Sequence, residues 1–572
     1  MQRIIKARLF LNINGFLLIG GLLFSGCAGS KPGKGNANEY RNGMVVSASP
    51  LASKVGLDIL KKGGNAVDAA VAVQFALAVV YPNAGNIGGG GFLVYRAADG
   101  STNTLDFREK AGAAASRDMY LDQSGAAIVD KSLYGQLAAG VPGSVAGMMT
   151  AHEKYGKLPW SALVEPAILL ARNGFPLSKQ QVGELNELRE KLLQFNPDGT
   201  ALLKDGKWNE RELLKQEELA NTLELIRDKG RAGFYEGKVA DLLLKEMNRG
   251  GGILTKSDLQ NYQAIWRKAI TGTYKDYRII TMPPPSSGGI ALIQLLKSVE
   301  PFPLKRWGFQ QDSTVQLMVE AERRVYADRA THLGDPDFYK VPADALMQDQ
   351  YIKDRMKTMD WWKATPSASV KAGAVNGKEH EETTHYSIVD QEGNAVSVTT
   401  TLNGSYGATV VVTGAGFLLN NEMDDFSVKP GSPNMYGLVG GEANAIAPGK
   451  RMLSSMTPTI LEKEGKLFMV VGTPGGSTII TSVFQTILNV IEFDQNMQQA
   501  VSAKRFHHQW LPDVIYTEKG AIDSLTRVKL EAKGYIIAPR GPMGRVDAIL
   551  KTKQGGYQGA ADPRGDDQWL GW

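Results

Sequence analysis

The segment from residue 66 to residue 80, A-V-D-A-A-V-A-V-Q-F-A-L-A-V-V, restricts the possible folds more than any other feature of the sequence. It predicts a helix, because Asn65 can cap its start and Asp68 lies in the first turn, where the helix dipole favours an acidic side chain. Nearly every residue is Ala, Val or Leu, so the helix has almost no polar face. We therefore expect it to be buried inside a layered fold.

Alternating apolar and polar residues predict a β-hairpin at 385–390 and 395–401, joined by the turn Q-E-G-N. Residues 364–382, just before it, lack apolar periodicity and should be exposed and mobile. Other predicted strands are 92–96, 104–107, 416–419, 459–462 and 467–472, and other predicted helices are 51–62, 290–299, 312–328 and 477–491. This mixture indicates layers of helices around sheets.

The first 26 residues are predicted to be a lipoprotein signal peptide. Arg3, Lys6 and Arg8 form a basic start, and residues 9–24 form an apolar run that is shorter than the ~20 residues of a spanning helix. The run ends in L-F-S-G-C, which predicts that Cys27 is lipidated and becomes the new N-terminus. Residues 27–39 would then be a flexible tether. The alternative is an ordinary secretory signal that ends beside a chance cysteine.

Composition narrows the functional classes further. Cys27 is the only cysteine, which excludes an internal disulfide and a cysteine-based metal site. Without the three basic leader residues the chain has 61 basic and 59 acidic residues, so its charge gives no reason to expect a nucleic-acid partner.

From the leader and Cys27 we expect an exported, lipid-anchored protein on the periplasmic side of a bacterial membrane. Ala28 after the cysteine suits the outer membrane, if the host has one.

Two motifs suggest cofactor or metal sites, but other features argue against both. The glycine run at 85–91, G-N-I-G-G-G-G, follows a helix and leads into a strand, which is the reverse of a dinucleotide-binding loop. We interpret it as a structural turn or a wall of the site. His507 and His508 have no second ligand cluster nearby in the sequence and are expected to pack or hydrogen-bond. We predict no metal and no cofactor.

Three motifs could bind an anion. Ser454 and Ser455 place two small hydroxyl groups beside an apolar strand. Gly475 and Gly476 precede a predicted helix, where backbone N–H groups can face an anion. Arg108, at the end of a predicted strand, could bind a carboxylate through two parallel hydrogen bonds. Taken singly, each motif could equally be ordinary turn or surface chemistry.

Acidic and hydroxyl residues complete the candidate chemistry. Glu422 and Asp425, in N-N-E-M-D-D-F-S, could hold a substrate ammonium group or could belong to a solvated turn. Thr383 and Thr384 lie where the polar run meets the predicted hairpin, in E-E-T-T-H-Y-S-I-V-D. Residue spacing does not decide which of the two threonines, if either, is a nucleophile.

Taken together and in order, these motifs resemble the γ-glutamyltransferase (γ-glutamyl transpeptidase, glutathione hydrolase) family. The resemblance runs from about residue 40 to the C-terminus. The shared motifs are G-N-I-G-G-G-G-F, D-F-R-E-K-A, G-V-P-G-S-V, P-P-P-S-S-G-G, T-T-H-Y-S-I-V-D, L-N-N-E-M-D-D-F, L-S-S-M-T-P-T-I, G-T-P-G-G-S and R-F-H-H-Q-W-L-P-D. No single motif is specific, but the ordered set is.

The resemblance implies an α+β fold, the four-layer αββα sandwich of N-terminal nucleophile hydrolases. It also implies that the chain cuts itself between Glu382 and Thr383 into a large subunit, residues 40–382, and a small subunit, residues 383–572. The two subunits would form the sandwich together. Thr383 would become the first residue of the small subunit and the nucleophile, with its new α-amino group as the base.

The resemblance also assigns the remaining site residues. Thr401 would position the nucleophile, and Gly475 and Gly476 would form the oxyanion hole. Arg108, Ser454 and Ser455 would bind the α-carboxylate of a γ-glutamyl group. Its α-amino group would be bound by Asn403, Glu422 and Asp425, and residues 430–441 would form a lid with Tyr436 as its gate.

The implied activity is attack on glutathione or another γ-glutamyl compound, followed by transfer of the γ-glutamyl group to water, an amino acid or a peptide. Two same-fold alternatives are a cephalosporin-type acylase and a poly-γ-glutamate-cleaving enzyme. A third is a non-catalytic, lipid-anchored binding protein that merely keeps the fold.

Overall fold

The computed structural model describes residues 39–370 and 383–572. The predicted signal peptide, Cys27 and Glu382 lie outside the described residues. Within the described ranges, no helix combines the length and the apolar character needed to cross a membrane.

The strands are short, and most belong to two large sheets. They are β1 Met44–Ser47, β2 Gly90–Arg96, β3 Thr102–Asp106, β4 Phe175–Pro176, β5 Leu213–Leu214, β6 Ile265–Arg267, β7 Ile270–Tyr274, β8 Tyr277–Thr281, β9 Thr384–Val389, β10 Ala395–Thr401, β11 Thr459–Lys463, β12 Lys466–Gly472, β13 Phe506–His507, β14 Ile515–Thr517, β15 Ile537–Pro539, β16 Asp547–Lys551, β17 Tyr557–Ala560 and β18 Gln568–Gly571.

Both large sheets are antiparallel throughout, and each combines strands from the two parts of the chain that flank residue 383. The first sheet has the order β18-β1-β9-β10-β2-β3-β6, and the second has the order β17-β16-β12-β11-β8-β7. The predicted hairpin is β9 and β10, in which Thr384 pairs with Thr400. Side chains that include Phe92, Val94, Ile460 and Val470 fill the space between the sheets.

The described residues also form α-helices, some of which cover the outer faces of the two large sheets. They are α1 Pro50–Lys61, α2 Ala66–Val80, α3 Val129–Leu133, α4 Ser144–Tyr155, α5 Trp160–Asn173, α6 Lys179–Phe195, α7 Glu217–Lys229, α8 Ala232–Tyr235, α9 Gly237–Gly250, α10 Lys256–Gln260, α11 Gly288–Val299, α12 Leu304–Trp307, α13 Asp312–His332, α14 Ala343–Leu346, α15 Asp349–Met356, α16 Thr478–Ile491, α17 Met497–Ser502 and α18 Ser524–Ala532.

Separate apolar cores lie beneath the two helix layers. One core joins α1, α2, α4, α5 and α7 to the first sheet, and the other joins α11, α13 and α16 to the second sheet. The layers are therefore helix, sheet, sheet, helix, and the predicted αββα sandwich is confirmed.

The apolar helix α2 forms where the sequence predicts it. The Asn65 side chain accepts hydrogen bonds from the N–H groups of Val67 and Asp68, at 3.0 and 2.9 Å. All fifteen residues of α2 are buried. The helix lies against β9 and β10, so it supports the hairpin from behind.

Three local predictions need correction. Residues 416–419 are not a strand, because Gly416 turns the chain at a φ of 75° against the backbone of Leu219. Residues 364–370 are not wholly exposed, since Ser367 and Val370 are buried and both carbonyl groups accept from Trp510 Nε1. The helix predicted at 312–328 continues to His332, and Gln311 rather than Asp312 is its N-cap.

Candidate active site

Ten of the eleven predicted catalytic and substrate-binding residues line one cavity, and the eleventh, Gly475, directly precedes the lining residue Gly476 in the chain. The lining residues are Arg108, Thr383, Thr401, Asn403, Glu422, Asp425, Tyr436, Ser454, Ser455, Met456, Gly476 and Ile479. Separate segments of the chain thus meet at a single site, although they are spread over more than 350 positions of the sequence.

The two adjacent threonines face opposite sides of the first sheet. Side chains alternate along a strand, so Thr384 shares its side with Tyr386, whose hydroxyl donates to Gln74 of α2 at 3.2 Å. Thr383 shares its side with Ser387, whose hydroxyl donates to the carbonyl of Asp547 in the second sheet at 3.1 Å. Only Thr383 lines the cavity. The Thr384 hydroxyl is buried without a partner among the described residues.

Thr401 lies beside Thr383 because it is the last residue of β10 and follows the Thr400–Thr384 pair. Its hydroxyl oxygen accepts from the Asn403 N–H at 2.7 Å. Its carbonyl accepts from Asn86 Nδ2 at 3.0 Å. The glycine run passes directly behind it, since a Cβ on Gly89 would lie 2.0 Å from that carbonyl oxygen. This close packing against the backbone of Thr401 agrees with the interpretation of the run as a structural turn, and none of its residues lines the cavity.

Gly475 and Gly476 form the turn that leads into α16. Their φ angles are 133° and 50°, conformations that favour glycine. Within the described parts of the chain, neither N–H donates to a backbone carbonyl. The Tyr326 hydroxyl donates to the carbonyl of Ser477, and this hydrogen bond fixes the residue that follows the turn. The Tyr436 ring packs against the turn, because a Cβ on Gly476 would lie 2.4 Å from it.

Arg108 is fully buried just beyond β3. Its guanidinium pairs with Glu422 and Asp425, the two residues predicted to bind an ammonium group. It also donates to the carbonyl of Leu453 at 3.3 Å. Burial alone would lower the pKa of Arg108, but these carboxylates outweigh burial and raise it. The predicted carboxylate binder and the predicted amine binders therefore form one charged cluster.

The carboxyl groups of this cluster are more difficult to ionise than usual. Burial raises the pKa of Glu422 and of Asp425, against the opposing effect of Arg108. Burial also raises the pKa of Glu109 to about 7, and its Oε1 has no partner among the described residues. A cation inside this cluster, such as a substrate ammonium group, would favour the ionised carboxylates.

Asn403 adds a second polar contact for such a group. It has a φ of 73°, and its Nδ2 donates to the carbonyl of Asn421 at 2.9 Å. That bond leaves its buried Oδ1 without a partner among the described residues. The Tyr436 hydroxyl donates to the Asn403 carbonyl at 2.7 Å, which ties the predicted lid to the site.

Several residues that shape the site were not predicted from the sequence. Met456 and Ile479 line the cavity, and Glu109 extends the charged cluster. Glu109 follows Arg108 directly, which was an available signal. Arg329 lies beyond the predicted end of its helix and gave no signal.

The histidine pair behaves as predicted. His507 hydrogen-bonds Thr481 at 2.8 Å and Gln509 at 2.9 Å, and His508 hydrogen-bonds Asp513 at 3.2 Å. Burial lowers the pKa of His508 to about 4, so the ring is neutral at pH 7. Within residues 39–370 and 383–572, no cluster of acidic, histidine and cysteine side chains is suited to a metal ion.

Two sheets between helix layers, with a threonine at a strand start in the cavity, define the class of N-terminal nucleophile hydrolases. A cephalosporin acylase from Bacillus halodurans has a similar structure, with a TM-score of 0.83 and 26% identity over 96% of this chain and 99% of its own. A Helicobacter pylori γ-glutamyltranspeptidase chain gives a TM-score of 0.57 and 44% identity over 60% of this chain and 97% of its own.

Sequence comparison then gives the family. The model of the γ-glutamyltranspeptidase family matches residues 52–572. The glutathione hydrolase proenzyme of Escherichia coli K12 is 48% identical over 533 residues, which cover 92% of this chain and 91% of that protein. The chain belongs to the γ-glutamyltranspeptidase family and is an enzyme.

Proposed function

We propose that this protein cuts itself between Glu382 and Thr383 and then uses Thr383 to break γ-glutamyl amides. The observation that carries the proposal is the single cavity that holds Thr383, Gly476 and the charged cluster around Arg108. Its relatives include proteins named glutathione hydrolase proenzyme, which supports both a precursor form and glutathione as a substrate.

Cleavage would give Thr383 the base that its hydroxyl lacks. A free α-amino group has a pKa of roughly 7.7–8.0, so it can accept the hydroxyl proton near neutral pH. The Thr383 oxygen then attacks the γ-carbonyl carbon, and the N–H groups of Gly475 and Gly476 stabilise the negative oxygen. The ammonium group returns the proton to the departing amine, which leaves an ester between Thr383 and the γ-glutamyl group.

The second half of the reaction repeats these steps with another acceptor. The α-amino group of Thr383 takes a proton from water or from an acceptor amine, which attacks the ester carbonyl. The bond to the threonine oxygen breaks, and that oxygen recovers the proton. Water gives glutamate, and an amino acid or peptide gives a new γ-glutamyl amide.

The charged cluster would select the γ-glutamyl group by the two charged groups on its α-carbon. Glu422, Asp425 and the free Oδ1 of Asn403 would receive the α-ammonium group. Arg108 and the hydroxyls of Ser454 and Ser455 would receive the α-carboxylate. Because Arg108 already touches both acids, a zwitterion can enter without leaving any buried charge unpaired.

Two subunits from one precursor fit the way the sheets are built. Each large sheet takes strands from both sides of residue 383, so the fragments would stay joined after the cut. The matched H. pylori chain corresponds to 60% of this chain, the same share as residues 40–382.

We also propose that the mature protein is exported and held at the periplasmic side of a bacterial membrane by a lipid on Cys27. The leader and the L-F-S-G-C motif support this part of the proposal. It can be tested by labelling cells with a fatty-acid analogue and comparing the wild-type protein with C27S.

The activity is tested with a γ-glutamyl anilide, with and without an acceptor dipeptide, on purified protein whose cleavage has been checked by mass. We expect the chromophore to be released, and to be released faster with the acceptor. Cleaved protein that releases no chromophore would contradict the proposed substrate class.

A further inference from the structure

Arg329, near the end of α13, is a buried guanidinium that does not line the cavity but reaches its wall. Its Nη2 donates to the hydroxyl of Ser455 at 3.0 Å, and its Nε donates to the hydroxyl of Ser287 at 2.9 Å. The side chain is only 5% exposed. Among the described residues, no carboxylate lies within ion-pair distance of it.

This environment differs from that of the other buried arginines around it. Arg323 and Arg324 lie on the same helix, α13. Arg323 pairs with Asp513, and Arg324 pairs with Glu320. Arg108 pairs with Glu109, Glu422 and Asp425. A buried charge without a partner is unfavourable unless a bound group of opposite charge compensates it. Burial lowers the pKa of Arg329, and the nearby charge of Asp425 offsets this effect only in part.

The hydrogen bonds of Arg329 also fix the directions of two hydroxyl groups. Each serine oxygen accepts from the guanidinium, so each must donate its own hydrogen elsewhere. The Ser287 hydroxyl donates to the carbonyl of Ser454 at 2.6 Å, which holds the segment with both cavity serines in place. The Ser455 hydroxyl donates to no acceptor among the described residues, and Ser455 lines the cavity. Its hydrogen is therefore available to a bound anion.

The neighbouring serine is prepared in the same way by the backbone. The Ser454 oxygen accepts from the Met456 N–H at 3.1 Å, so its hydrogen is also available on the cavity side. Two hydroxyl donors side by side match the two oxygens of a carboxylate.

We propose that Arg329 is the positioning residue that makes this enzyme prefer substrates with an α-carboxylate. It acts through Ser455, whose hydrogen it turns toward the carboxylate, and it adds a positive charge beside the cavity that forms no direct ion pair among the described residues. This inference rests on the proposed γ-glutamyl activity and extends it to a residue outside the cavity.

The test compares two anilides that differ in one group. One is the γ-glutamyl anilide, and the other is the 4-aminobutanoyl anilide, which lacks only the α-carboxylate. For R329Q we expect KM for the γ-glutamyl anilide to rise roughly 10- to 100-fold, the usual weight of a hydrogen bond to a charged group, with a smaller change in kcat. The kcat/KM for the 4-aminobutanoyl anilide should change by less than about threefold, because no carboxylate contact is lost.

Four further variants separate positioning from folding. R329K should recover part of the preference, because it keeps the charge. S455A should show the same selective loss, and R329Q combined with S455A should be little worse than the more impaired single variant. R324Q, which removes a buried arginine of the same helix, is the matched control and should not change the ratio between the two anilides.

The possible outcomes distinguish a failure of the Arg329 inference from a failure of the proposed γ-glutamyl activity. Wild-type protein that is cleaved but inactive on the γ-glutamyl anilide would contradict the proposed function. Active wild-type protein with an R329Q variant that loses both anilides equally would overturn the role of Arg329 alone. If R329Q fails to mature, R329K and S455A decide the question, since equal losses on both anilides would count against the inference.

Discussion

The two faces of strand β9 show how one sheet serves two purposes. Its outer face, with Thr384, Tyr386 and Ile388, is covered by the apolar helix α2 and is part of a core. Its inner face, with Thr383, faces the second sheet and the cavity. Two adjacent residues of the same type thus have unlike surroundings. Position relative to the layers, and not residue type, makes Thr383 the candidate nucleophile.

The largest expected effect is on the inner face. We expect T383A to abolish both self-cleavage and turnover, because it removes the only oxygen proposed to attack in either step. Activity should fall by at least about four orders of magnitude, as for other enzymes that lose their nucleophile. Denaturing mass analysis and the γ-glutamyl anilide assay measure the two losses. A cleaved and active T383A protein would refute the assignment.

A second change on the cavity side tests the glycine turn before α16. G476A adds a methyl group where the Tyr436 ring lies 2.4 Å away, at a φ that alanine adopts poorly. The turn should shift and misplace its N–H groups, and kcat should fall about 10²–10³-fold, as for the loss of one oxyanion-hole donor. Steady-state kinetics on matured protein measure it. Unchanged kcat would mean that the turn does not contact the reacting oxygen.

The outer face should behave in the opposite way. I388A removes a fully buried side chain from the core between β9 and α2. We expect a loss of about 2–5 kcal/mol in the free energy of unfolding, from lost burial and the cavity left behind. The kcat of the folded protein should change little. Urea unfolding followed by activity at low denaturant separates the two quantities, and a large kcat effect would show that the faces are coupled.

A pH dependence distinguishes the charged cluster from the apolar core. The pKa of Glu109 is raised to about 7, so the folded state holds its proton more tightly than the unfolded state does. This contribution to stability is complete below the ordinary glutamate pKa of ~4.3 and is lost as the pH rises through about 7. Compared with the wild type, E109Q should therefore lose less stability between those values. Equal slopes in the two proteins would contradict the shift.

The smallest expected effect is at the neighbouring threonine. T384V replaces a buried hydroxyl that has no partner in the described structure with a methyl group of similar size. Since no hydrogen bond is lost, stability should change by less than about 1 kcal/mol, and cleavage and activity should persist. Thermal unfolding and the anilide assay check this. Loss of cleavage in T384V would reopen the choice between the two threonines.

Much of the layered fold could be predicted from local patterns. The apolar helix α2, with its Asn65 cap, and the β9–β10 hairpin carry their own periodicity and caps, and both form as expected. Segment 416–419 could not be read in this way, because its turn depends on contact with the distant Leu219. Long-range packing of this kind leaves no mark on the local pattern.

The site shows the same division between local and long-range information. Its residue types were visible in short motifs, and the ordered resemblance grouped them correctly around one cavity. The pairing of Arg108 with both acids was not visible, because it depends on segments more than 300 positions apart. The hydrogen bond from Arg329 to Ser455 was not visible in the sequence either.

N-terminal sequencing of the smaller fragment tests the central claim most directly. We expect two fragments from the mature protein and the sequence T-T-H-Y-S at the start of the smaller one, with Thr383 first. A fragment that begins T-H-Y-S-I, or an active chain that remains uncut, would contradict it.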